Sequence, residues 1–192
     1  LWVDEKGRNS LTLIDVEAKK IEHNTIKHGY SLVFPHRIAV AKGKLYVLHR
    51  ARGQVLRLSP DLSIEQRYGS RDCKAGLADF VLAGDSLLAL EPRDKKVFRF
   101  RDDGTISEEL KLDDQVEFPV SLAVGPSEFL YILDRHQNSV LVYDQFGVFR
   151  YSFLATGQSV NHVYFARQIR FDPWERLCVV DEGNGRVEVF SR

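Results

Sequence analysis

The chain has 192 residues, 44% apolar and 28% charged, the composition of a globular domain large enough for a substantial core. Lysine plus arginine (27) equals aspartate plus glutamate (27), so no overall field draws it onto nucleic acid or an anionic membrane. No apolar run approaches the roughly 18 residues of a spanning helix, and Cys73 and Cys178 belong to no CxxC pair, which excludes a cysteine-built zinc site or a thioredoxin-like motif.

Taken in chain order, one 14-residue pattern returns five times without gaps: "LWVDEKGRNSLTLI" from Leu1, "LYVLHRARGQVLRL" from Leu45, "LLALEPRDKKVFRF" from Leu87, "LYILDRHQNSVLVY" from Leu130 and "LCVVDEGNGRVEVF" from Leu177. Each copy is two apolar runs around a polar hexapeptide, the pattern of a β-hairpin. Ahead of the last four copies stand short apolar runs, "RIAV" at 37–40, "FVLA" at 80–83, "SLAV" at 121–124 and "QIRF" at 168–171, each followed by Gly, Pro or Asp turn chemistry. A fourth alternating run begins at Ile21, Ile64, Ile106 and Phe149.

A unit is therefore four antiparallel strands. The central strands are apolar on both faces (Leu45 and Val47 on one, Tyr46 and Leu48 on the other), so each small sheet is covered on both sides. The expected fold is all-β: a β-propeller of four-stranded blades in a single domain over 1–192. Five units are visible, near 1–30, 31–72, 73–114, 115–160 and 161–192. The first lacks its inner strand and the last its outer one, which predicts most of a six-bladed ring, incomplete at both ends. The lack of any methionine and the start inside "LWV" also point to a processed or incompletely represented protein.

These repeats resemble the NHL-repeat class of propellers, whose signature is a proline before the inner strand, an "IAVD"-like run, a Gly turn, "LYVaD", a polar stretch and "rVqvF". "FPHRIAVAKGKLYVLHRARGQVLRL" and "FPVSLAVGPSEFLYILDRHQNSVLVYDQFG" match it well, with the acid after the second strand kept as Asp134 and Asp181 and replaced by Glu91 and His49. The resemblance implies a rigid binding platform, with enzymes among some relatives, and an exported, periplasmic or extracellular setting.

Propeller ligands meet the end of the axis where inner strands begin. That column reads His36, Ala78 or Asp79, Val120 and Arg167. His36 resembles the Pro-His motif of the zinc-dependent peptide-amidating lyases, but Val120 and Arg167 stand where that family has further histidines, so no metal and no cofactor is expected. Further binding candidates are "HRARGQ" with His49, Arg50 and Arg52; Asn161 and His162 in the lengthened loop 155–164; and Trp174 in a turn. No catalytic spacing is visible. The expected function is a non-catalytic interaction module or scaffold that binds a protein or other macromolecular partner through its blade loops, as part of a larger assembly. The alternative is a metal-dependent lyase or lactonase-like hydrolase with its site in the axial channel.

Overall fold

A computed structural model describes residues 1–5, 10–28, 31–32, 34–69, 76–113 and 115–191; Cys73, Lys6 and Arg8 lie outside them. The chain is nearly all β, arranged as a β-propeller of five successive antiparallel blades. Blade 1 holds β1 (Trp2–Glu5), β2 (Ser10–Asp15) and β3 (Lys20–Asn24), and a small hairpin of β4 (Lys27–His28) and β5 (Ser31–Leu32) follows. Blade 2 is β6 (Pro35–Ala41), β7 (Lys44–His49), β8 (Gln54–Leu58) and β9 (Ile64–Tyr68). Blade 3 is β10 (Asp79–Ala83), β11 (Ser86–Glu91), β12 (Lys96–Phe100) and β13 (Ile106–Lys111). Blade 4 is β14 (Pro119–Val124), β15 (Leu130–Asp134), β16 (Ser139–Tyr143) and β17 (Phe149–Phe153). A short parallel pair, β18 (Ala155–Thr156) with β19 (His162–Val163), leads into blade 5: β20 (Gln168–Phe171), β21 (Leu177–Asp181) and β22 (Arg186–Phe190).

Local chemistry sets these hairpins. Ala41 pairs with Lys44, leaving Lys42 (φ 51°) and Gly43 (φ 71°) as a two-residue turn with both φ positive, the type that follows the twist of the strands. The two-faced apolar strands fill the space between blades. Leu48 pairs with Val55 on one face of blade 2, and both pack with Phe80, Ala89 and Phe98 of blade 3. Leu90 and Val97 repeat this toward Leu122, Ile132 and Leu141 of blade 4, as do Leu133 and Val140 toward Ile169, Leu177 and Val179 of blade 5. All six of these leading-face residues are at 0% exposure, so each interblade seam is a closed core. On the other side of blade 2, Leu45, Val47, Leu56 and Leu58 pack with Leu11 and Trp2 of blade 1.

Candidate functional site at the axial mouth

The inner strands β6, β10, β14 and β20 lie side by side around the axis. Antiparallel alternation puts the starts of these strands, the loops between second and third strands, and the connections between blades all at one end, here called the mouth.

The polar residue ending each second strand positions the mouth. Asp134, fully buried, accepts four backbone N–H bonds: Glu117 (2.6 Å) and Phe118 (2.8 Å) ahead of β14, and His136 (2.9 Å) and Gln137 (3.0 Å) in its own turn. Asp181 accepts Tyr164 N–H at 2.7 Å ahead of β20, and Glu91 accepts Arg93 N–H (3.1 Å) and Asp94 N–H (2.7 Å). His49 fills the same seat in blade 2. It is 2% exposed, and its Nδ1 accepts Phe34 N–H at 3.3 Å. The column thus ties each turn or inner-strand entry in place.

One column of the inner strands, Arg37, Asp79, Ser121 and Gln168, sits opposite Leu48, Leu90, Leu133 and Val180. Three of these residues join Arg170 in a buried network. Arg170 donates through both terminal nitrogens to Asp79, at 2.6 Å to Oδ1 and 2.9 Å to Oδ2. Ser121 Oγ donates to Asp79 Oδ2 at 2.5 Å, as does Leu122 N–H at 3.1 Å, while Ile169 N–H donates to Ser121 Oγ at 3.1 Å. Arg37 Nε stands 3.6 Å from Asp79 Oδ1, and Arg37 donates to the carbonyl of Arg167 at 3.3 Å, joining blades 2 and 5 across the axis. Burial by itself would raise the Asp79 carboxyl; the Arg170 guanidinium, Arg37 and the Ser121 hydroxyl outweigh it and hold Asp79 below the usual carboxylate range. The sequence did not single out Arg170, although it carried a signal: an arginine in a column otherwise filled by Ala39, Val81 and Ala123.

Next to this network opens a cavity of about 600 Å³, lined by His36, Arg37, Phe118, Val120, Arg135, Arg167 and Glu182 among others. Phe34, Phe118 and Phe165 occupy one repeat position, three residues before Arg37, Ser121 and Gln168, and are 41%, 46% and 43% exposed. Phe118 stacks on His136 at 4.8 Å, Phe34 on His49 at 6.2 Å, and the Arg135 guanidinium lies 5.4 Å over Phe165. Blade 3 has Gly76 (φ 76°) at this position, because the backbone of Gly53 crosses there; a Cβ on Gly76 would stand 2.7 Å from Gly53 Cα. Two half-exposed guanidiniums, Arg135 and Arg167, meet the two oxygens of Glu182, each at 3.1 Å. The mouth can therefore donate hydrogen bonds to an anion and present aromatic faces beside it.

Of the residues expected to bind, His36 and Arg167 line the cavity, while Asp79 and His49 are buried at the axis and in the blade wall. Arg50 and Arg52 form a short 3-10 turn at the same end. The lengthened loop is tied down: Arg186 donates to the carbonyls of Gln158 (2.8 Å) and His162 (3.0 Å), and Asn184 to that of Gly157 (2.9 Å), leaving Asn161 exposed and His162 half-buried. Trp174, 74% exposed with Arg176 5.0 Å over its ring, sits at the opposite end, in the turn after β20. Cys178 is half-buried on the outward face of blade 5. Among the described residues, no three His, Cys, Asp or Glu side chains gather as a metal-binding group, and no helix is long and apolar enough to cross a membrane.

No family model matches the chain, and no curated protein matches it in sequence. Its fold is similar to solved β-propellers. Staphylococcus aureus virginiamycin B lyase superposes with a TM-score of 0.70 at 14% identity, over 99% of this chain and 65% of its own. A gluconolactonase from Xanthomonas campestris gives 0.71 at 17% identity, over 94% and 65%, and Myxococcus xanthus glutaminyl cyclase 0.60 at 14%, over 95% and 83%. At such identities the likeness shows the fold alone, a β-propeller, and this chain spans 65% of the lyase's length.

Proposed function

We propose that this propeller is a binding module that engages a protein partner through the rim of its axial mouth. The observation that carries the reading is the column of Phe34, Phe118 and Phe165, each more than two-fifths exposed although the fold has apolar seams that could have buried them. Aromatic rings beside arginines are the composition of interface anchors. The axial acid, Asp79, has both oxygens engaged by Arg170, Ser121 and backbone, which suits a rigid hub.

The test compares partner recovery by the wild type, by a triple Phe34→Ser/Phe118→Ser/Phe165→Ser variant, and by Phe146→Ser, whose ring is 72% exposed at the opposite end. A partner crosslinked by the wild type and by Phe146→Ser is expected to be lost with the triple variant. Retention by the triple variant refutes the reading. A second reading, a metal-dependent lyase or lactonase-like hydrolase at the axial channel, is favoured by the enzymes among the structural neighbours. Stoichiometric metal in the purified protein together with lactone hydrolysis, lost on changing His36 or Arg167, would put it first.

A further inference from the structure

We propose that Arg135 and Arg167 form a carboxylate clamp at the mouth, occupied in the resting protein by Glu182, and that its ligand is a carboxylate carried beside an aromatic ring on a partner peptide. The inference rests on the mouth being the binding surface and adds the chemistry recognised there.

The geometry of Glu182 shows which anion fits. Its two oxygens each take one guanidinium, Oε1 from Arg167 at 3.1 Å and Oε2 from Arg135 at 3.1 Å, so a single planar carboxylate bridges blades 4 and 5. The bridge is not sealed in: the side chains of Arg135, Arg167 and Glu182 keep 34%, 35% and 43% of their exposure. An ion pair this open contributes at most about 1 kcal/mol, so exchanging one carboxylate for another is cheap. A guanidinium carries five N–H donors in a planar fork, and each arginine uses one of them on Glu182.

The surroundings select an acid with an apolar neighbour. Among the residues that line the cavity, Arg37, Arg135 and Arg167 bring three positive charges against the one negative charge of Glu182, in a chain with zero net charge. The excess is local and faces the cavity, where it raises the concentration of an approaching anion. The same cavity is lined by Leu77, Phe118, Pro119 and Val120, and Phe165 lies under the Arg135 guanidinium. At about 600 Å³ it has room for a side chain or a chain terminus.

The experiment titrates the protein by NMR with N-acetylphenylalanine (a terminal carboxylate), N-acetyl-aspartyl-phenylalaninamide (a side-chain carboxylate) and N-acetylphenylalaninamide (none). Glu182→Gln removes the resident charge without altering shape, so at least one of the acids is expected to bind about fivefold more tightly than to the wild type. The amide should not respond, and Arg135→Met/Arg167→Met should lose the acid while melting like the wild type. The acid that responds identifies the source, chain terminus or side chain. Unchanged acid affinity in Glu182→Gln, equal binding of amide and acid, or equal competition by inorganic phosphate overturns the proposal. If it is overturned while the triple phenylalanine variant still loses the partner, the clamp fails and the binding reading stands. Partner retention by that variant removes both.

Discussion

Both carboxylate oxygens of Asp79 are committed inside the axis, and this makes it the residue whose loss should be felt most. Its substitution would leave the guanidiniums of Arg170 and Arg37 facing a neutral group in a site with no solvent access to the acid. Breaking a buried pair from one side costs about 3–5 kcal/mol, so Asp79→Asn is expected to lower the unfolding free energy by that order in urea titrations. The acid side of the stability curve carries a second signature. The folded Asp79 carboxyl lies below its unfolded value, so its contribution is complete above the unfolded pKa of about 3.9 and is lost as pH falls through the folded value. Urea titrations at a series of pH values should therefore show a shallower acid decline in Asp79→Asn than in the wild type. Asp79 was legible in the sequence only as one of two register choices, Ala78 or Asp79, in a mixed column with His36, Val120 and Arg167. Arg170 was not, because the pair joins residues 91 apart and no local pattern reports a side chain reaching across an axis. His49 is the converse case: the one departure from an acidic column and a binding candidate in the sequence, it occupies the acid's seat on Phe34 N–H. His49→Asp is accordingly expected to melt within a few degrees of the wild type, whereas His49→Leu, which leaves that donor without its acceptor, should lose about 1–3 kcal/mol.

At the scale of the element, the hairpin turn and the entry of the inner strand of the same blade are one unit, joined through the acid that ends the second strand. Asp134 serves two backbone donors on each side, so Asp134→Ala strands four N–H groups at once. A cost of about 3 kcal/mol or more is expected in chemical denaturation, with faster hydrogen exchange at Glu117 and Phe118 than at the core strands. This unit was half legible beforehand. The period, the strand order and the acid column follow from Leu, Val and Asp recurring at fixed offsets, because each offset is a strand plus a turn. The aromatic column was hidden for a physical reason: Phe34 and Phe118 sit before a proline in apolar surroundings and read as core, and only the third dimension shows the rings turned outward. Gly76 in the same column explains itself only once Gly53 is seen against it. The loop at 155–164 was legible as an insertion by its length, but not as a strapped one, since its clasp is Arg186 on the following blade.

For the whole molecule, what matters is the face each blade offers to the next. In blades 2, 3 and 4 the paired positions Leu48–Val55, Leu90–Val97 and Leu133–Val140 are wholly buried by the following blade. In blade 5 the same pair is Val180–Val187, at 37% and 60% exposure, with Val189 beside it at 50%. The residue types are those of a seam and the environment is that of a surface. Charge substitution separates the two. Val140→Lys buries an ammonium among Ile169, Leu177 and Val179 and should cost about 4 kcal/mol or more, enough to unfold a marginal domain. Val187→Lys in this chain should change stability by no more than about 0.5 kcal/mol, because its side chain already meets water. Melting curves of the two variants in parallel decide the matter. If Val187→Lys is as damaging as Val140→Lys, the blade 5 face is covered in solution as its sister faces are, and a surface complementary to Val180 and Val187 is part of the folded protein.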